Sequence, residues 1–144
     1  MFVLEHPMSR TLIRAFDNQN NPILAGNKPV ERIHFNLVRL GIAETYRYRL
    51  PRFESVVAPM SGTCDLTVDG ESFPNLGRRL SIWDGKADAM YAGPNAEVAI
   101  VAKSRCEIAI AGGLWDRSMA PFRVRPEEID MVDVGSNPRF LITS

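Results

Sequence analysis

Histidine is scarce in this chain: two imidazoles, His6 and His34, in 144 residues. Stable zinc, iron or manganese sites generally draw on several, so one chain cannot assemble a three-histidine centre from these two. Cysteine is as sparse. Cys64 and Cys106 form no CxxC, which excludes a thiol metal knuckle or a disulfide framework and leaves two buried, reduced thiols as the expectation. A charge excess of either sign is missing too: 17 Lys and Arg cancel 17 Asp and Glu, so no net field recruits nucleic acid or an anionic membrane. The longest basic clusters are pairs such as Arg78-Arg79, not the basic stripe with interleaved aromatics of a nucleic-acid binder. No apolar run approaches the ~20 residues that span a bilayer. The start, MFVLEHPMSR, has an early Glu5 and no apolar core of signal-peptide length. A soluble cytoplasmic protein is expected, with no nucleic-acid partner and no membrane. Also absent are a Ser-His-Asp constellation, a glycine-rich phosphate loop and paired carboxylates at metal spacing.

What is present is one domain's length of short strand signals. Residues 1–29 read as an amino-terminal arm and first strand, and residues 30–144 as a barrel. His6-Pro7 interrupts the arm, a short apolar piece runs from Thr11 to Phe16, and DNQNNP at 17–22 is a cluster of turn formers. From Val30 the pattern changes: Ile33, Phe35 and Leu37 alternate with His34, Asn36 and Val38, the period of a strand with one face more apolar than the other. Tyr46 to Leu50 continues in β-prone residues until Pro51. Cys64, Leu66 and Val68 alternate into Asp69-Gly70, the pair suited to a two-residue type I′ hairpin, and Pro74 to Gly77 reads as a second turn. Leu80, Ile82 and Met90 suggest further short strands. Two alternating runs, Glu97 to Lys103 and Arg105 to Ala111, precede Gly112-Gly113, which reads as a strand end. Pro126 to Ile129 could form one helical turn, with Pro first and acids near its positive end. Arg139 to Thr143 reads as a terminal strand. Strand signals about every 8–12 residues predict an all-β barrel or sandwich.

The stretch GIAETYRYRLPRFESVVAPMSG, Gly41 to Gly62, resembles the first motif of metal-binding cupins: a Gly, five residues, His-x-His, a Glu and a closing Gly. Arg47 and Arg49 take the histidine places in that frame, Glu54 keeps the glutamate, and Gly62 closes it one residue late. A guanidinium is always charged and has no lone pair to give a metal. Laid on the second cupin motif, the loop YAGPNAE brings Glu97 to the place of the third histidine, with its spacing off by one.

Three longer tracts carry a family resemblance: NLGRRLSIWDG at 75–85, MYAGPNAEVAIVAKSRCEIAIAGG at 90–113 and FRVRPEEIDMVDVGSNPRFLI at 122–142. They resemble the amino-terminal half of bacterial 5-deoxy-glucuronate isomerases of myo-inositol catabolism, which share a superfamily with the 5-keto-4-deoxyuronate isomerases. The resemblance implies an all-β, cupin-type double-stranded β-helix (jelly-roll barrel) as a single domain. It implies a bicupin relative whose divalent metal sits in the carboxy-terminal barrel, so no cofactor is expected in this chain and no metal ligand is assigned to it. The partners that the resemblance implies are a second copy, as a homodimer or higher homo-oligomer, or a second cupin domain.

Arg47, Arg49 and Glu54 are the first candidate site, a guanidinium grip on the carboxylate of a small acidic sugar. The plainer reading is a pair of surface arginines matched with Glu44, Glu54 or solvent. Alternation allows the arginines or Tyr46 and Tyr48 to face inward, never both sets. Glu97 is otherwise a solvated rim residue, and Trp83, with Trp115, could stack on a sugar or fill an interface. His34 reads as a partly buried strand residue bonded to a neighbour, and Arg78 and Arg79 as partners in a structural salt bridge rather than an anion site built with the amides of the turn at Gly77. No catalytic residue is assigned. Two functions remain open: the metal-free scaffold half of an aldose–ketose isomerase, inactive alone, or a stand-alone metal-free cupin that holds an acidic sugar near Arg47, Arg49 and Trp83.

Overall fold

The computed structural model describes residues 12–132. Among them, the alternating runs become ten strands: β1 (Leu24–Ala25), β2 (Ile33–Leu40), β3 (Thr45–Arg49), β4 (Phe53–Ser61), β5 (Cys64–Val68), β6 (Glu71–Leu76), β7 (Ala89–Ala92), β8 (Glu97–Ala102), β9 (Cys106–Leu114) and β10 (Phe122–Val124). They build a six-stranded sheet in the order β1-β2-β9-β4-β7-β10 and a four-stranded sheet in the order β3-β8-β5-β6. All the pairings are antiparallel. The core lies between the sheets. Val38, Val57, Met90 and Ile110 from the large sheet meet Leu66, Val98 and Ile100 from the small one, each at most 1% exposed. Burying one such Leu or Ile side chain contributes about 1.5–3 kcal/mol.

The hairpin at Asp69-Gly70 forms as its residues predict. Val68 pairs with Glu71, and both turn residues take positive φ, 49° and 83°. Pro51 ends β3, and Pro126–Glu128 forms a single 3-10 turn, with Glu128 Oε2 accepting the Arg125 amide at 2.7 Å. Arg139 to Thr143 lies outside the described residues.

Three local expectations are corrected. Pro74-Asn75 does not break the chain: β6 runs to Leu76, absorbing an irregularity in its register with β5 while Asn75 takes a φ of 56°. Leu80 and Ile82 lie in no strand. They sit on a loop held at the far end of β4, where Arg79 O accepts the Gly62 amide at 3.0 Å and the Arg79 guanidinium donates to Pro59 O at 3.3 Å. Gly112-Gly113 does not end β9 either. That strand continues to Leu114 because Gly112 lies in register between His34 of β2 and Ser55 of β4. A Cβ there would stand 3.1 Å from both His34 Cβ and Glu54 O, so the close approach of three strands favours glycine.

A buried ion pair fastens the edge of the large sheet. Arg123 on β10 gives its Nε and Nη2 to the Asp88 carboxylate at 2.9 and 2.6 Å, and its remaining donors reach the carbonyls of Pro74 and Asn75. Asp88 Oδ2 also accepts the Gly77 amide at 2.9 Å. Burial alone would raise this carboxyl; the hydrogen bonds from Arg123 and Gly77 outweigh it and hold the pKa below the usual carboxylate value.

Candidate functional site

On β3 the tyrosines face the barrel interior and the arginines face out. Burial alternates along Thr45–Arg49 with Tyr46 and Tyr48 as the more buried pair, packed against the core. The phenols, rather than the guanidiniums, therefore stand where a His-x-His pair would present its donors. Each is tied across the barrel to the large sheet. Asn36 Nδ2 donates to Tyr46 Oη at 2.9 Å, and Tyr48 Oη lies 2.8 Å from Ser55 Oγ in a hydroxyl–hydroxyl hydrogen bond. Asn36 is fully buried, gives its second proton to Asn20 O at 2.9 Å, and accepts one from Asn18 Nδ2 at 2.5 Å. Burial raises the Tyr46 pKa and, more strongly, that of Tyr48, against the opposing pull of these hydrogen bonds, so both phenols are neutral.

His34 belongs to the same interior. It is 4% exposed, tilted against the Phe53 ring at 6.2 Å between centroids, and separated from Ser55 by the width of Gly112, about 10 Å across two strand spacings. The expected hydrogen bond to a neighbour is not found among the described residues. Burial lowers its pKa, which keeps the imidazole neutral. The interior polar set is thus His34, Asn36, Tyr46, Tyr48 and Ser55, uncharged throughout. Sequence alone left open whether the arginines or the tyrosines of β3 face inward; the alternation carried the signal but not its phase.

The residues singled out from sequence do not share a cavity. Arg49 pairs with Glu97 at 3.4 Å on the outer face of the small sheet, both exposed, and Arg47 faces outward on the same strand. Glu54 lies on the outer face of the large sheet, where it accepts the Tyr91 hydroxyl at 2.6 Å. Burial, aided by this carboxylate, pushes Tyr91 up to about 12. Trp83 is 88% exposed on the loop beside Pro59 and Gly62, whereas Tyr48 meets Ser55 near the start of β4. Trp115 lines a surface cleft of about 520 Å³ with Pro51, Arg52, Leu114 and Asp116. Arg78 pairs with Glu127 at 2.7 Å on the surface. Cys64 and Cys106 are buried and unbridged, and burial pushes the Cys64 thiol up to about 12.

These donors do not fit a divalent cation. Among the described residues, no three His, Cys, Asp or Glu side chains stand together at metal-holding distance. The inward set offers one imidazole and two phenols that remain protonated, and a protonated phenol is a poor ligand.

Two antiparallel sheets closed over one core, with the inward polar positions at the heart of β2, β3 and β4, define a cupin-type barrel. The chain belongs to the KduI/IolB family, whose profile matches residues 12–139. It is 26% identical over 115 residues to the 5-deoxy-glucuronate isomerase of Lacticaseibacillus casei, a match covering 77% of this chain and 41% of that enzyme. The fold is similar to an IolB-like protein of Salmonella typhimurium, with a TM-score of 0.75 at 18% identity, covering 82% of this chain and 46% of that one. It is also similar to the protein YlbA of E. coli, with a TM-score of 0.54 at 14% identity, covering 72% and 43%. The chain therefore spans less than half the length of each of these three relatives.

Proposed function

We propose that this chain is the metal-free scaffold half of an aldose–ketose isomerase and has no isomerase activity of its own. The reaction would be that of the related enzyme, interconverting 5-deoxy-glucuronate and 5-dehydro-2-deoxy-gluconate by moving a proton between neighbouring carbons. A divalent metal acting as Lewis acid would be held by a second cupin domain. This barrel would serve packing and homo-oligomer formation.

The observation that carries the reading is the way Tyr46 and Tyr48 are fastened to Asn36 and Ser55. Donors spent on one another in a neutral interior are not free to polarise a carbonyl, and His34, the inward group that could serve as a general base, stands two strand spacings from Ser55, about 10 Å. The acidic-sugar reading has less support. Arg47 and Arg49 lie outside the barrel, and Trp83 stands beside the other end of β4, so no guanidinium clamp faces an aromatic platform.

The test is elemental analysis of the purified chain together with an isomerase assay on 5-deoxy-glucuronate with added zinc or manganese. No turnover and far less than one metal ion per chain are expected. Turnover with one tightly held ion per chain would overturn the proposal.

A further inference from the structure

A small cleft of about 170 Å³ opens between the loop that follows β6 and the 3-10 turn that follows β10, lined by Arg78, Arg79, Asp84, Gly85, Lys86 and Pro126. Cations and one carboxylate dominate its walls. The volume lies below the ~300 Å³ at which pockets for drug-sized ligands begin, so it suits one compact group.

The three cations are not equivalent. Arg78 is matched by Glu127 at 2.7 Å, the structural salt bridge expected of it. Arg79 and Lys86 have no such partner: among the described residues no carboxylate stands within ion-pair reach of either, Asp84 included. Their donors go to neutral carbonyls instead. Arg79 gives Nε and Nη2 to Pro59 O, each at 3.3 Å, and Nη1 to Gly85 O at 3.0 Å, while Lys86 Nζ donates to Ile129 O. Gly85 presents that acceptor from a φ of 129°, a conformation that favours glycine.

A carbonyl satisfies a donor without cancelling its charge. Both side chains are half-buried, and a charge taken out of water without a counter-ion is costly. The tethers also hold both side chains in place before a ligand arrives, which removes much of the ordering cost of binding. The turn amides do not form the site, because Gly77 donates to Asp88 Oδ2 and Gly62 to Arg79 O. With Glu127 set against Arg78, two cations face one carboxylate and the surplus is positive.

We propose that this cleft binds a phosphate group, as the free ion or as the end of a small phosphate ester. Three cationic side chains around one small volume match the three terminal oxygens of such a group, where a carboxylate offers two. Asp84 repels the ligand and limits its affinity. The cleft is separate from the interior set of Tyr46 and Tyr48, so the site stands apart from the scaffold reading.

Calorimetric titration of the purified chain in a buffer free of phosphate and sulfate tests this, with sodium phosphate and, separately, glycerol 1-phosphate. One saturable site per chain is expected, weakening as sodium chloride rises from about 50 to 300 mM. Lys86→Gln should weaken binding about tenfold, the loss of one charge-assisted contact. Asp84→Asn should tighten it about threefold, a gain that a merely structural role does not predict. Glycerol phosphate binding as tightly as phosphate assigns the site to an ester, and much weaker binding assigns it to the free ion. If Lys86→Gln fails to fold, the change at exposed Asp84 decides alone. No saturable binding of either probe by about 10 mM would overturn the proposal. Unchanged affinity in Asp84→Asn, or in a folded Lys86→Gln, would overturn it as well.

Discussion

The two faces of the large sheet mix the usual polar-out, apolar-in pattern of a half-buried antiparallel sheet. Its inner face carries His34, Asn36 and Ser55 beside the core residues Val38, Val57 and Ile110, and its outer face leaves Val56 and Phe122 exposed. Inward polar groups are costly, because each must recover the hydrogen bonds it loses on burial. Here Asn36 and Ser55 recover theirs from Asn18, Asn20, Tyr46 and Tyr48. The difference teaches that Asn36, Tyr46, Tyr48 and Ser55 are locked onto one another inside, whereas among the described residues Val56 and Phe122 stay exposed outside.

That contrast can be broken most severely at the sheet's edge. Arg123→Ala should cost about 3–5 kcal/mol in urea unfolding, because it leaves the buried Asp88 carboxylate without its counter-charge and frees β10, which carries Phe122. A loss below about 1 kcal/mol would show the pair to be dispensable. The stability this pair provides should persist at neutral pH. The folded Asp88 pKa is lowered, so the contribution is complete above the unfolded value of about 3.9 and is lost as pH falls through the folded value.

Next in size is the interior lock. Asn36→Ala should cost about 2 kcal/mol, since it strands Tyr46 Oη and Asn20 O. Tyr48→Phe, which removes one hydroxyl pair, should cost about 1 kcal/mol. Adding Ser55→Ala to Tyr48→Phe should cost less than the sum of the two single changes, and strict additivity in the double-mutant cycle would contradict the lock.

Acidification should probe His34 more gently. Its folded pKa lies below the usual 6.5, so its stabilisation is complete above about 6.5 and declines as pH drops below that value. The urea midpoint should fall between pH 7 and pH 5.5, and His34→Gln should flatten that slope. The smallest effect belongs to the outer face. Val56→Glu should change the barrel's own stability, measured in dilute solution, by no more than about 0.5 kcal/mol.

Many of the strand segments were legible because the signals were local. Asp69-Gly70 states its turn chemistry in two residues, and Cys64, Leu66 and Val68 reveal their face by simple alternation. The phase was harder. On β2 the residues that read as the apolar face, Ile33, Phe35 and Leu37, lie outside, while His34 and Asn36 lie inside, because the partners that satisfy Asn36 come from Tyr46, ten residues on, and from Asn18 and Asn20. The same blindness put Arg47 and Arg49 in the cupin frame where Tyr46 and Tyr48 face the core. Asp88 and Arg123, 35 residues apart, carried no local mark of their pairing. Leu80 and Ile82 misled in another way: they are apolar, but Arg79 anchors their loop outside both sheets.

The account turns on whether this barrel holds a divalent ion with its own side chains, and elemental analysis of the purified chain tests that most directly. Far less than one zinc, iron or manganese ion per chain is predicted. One tightly held ion per chain would contradict it.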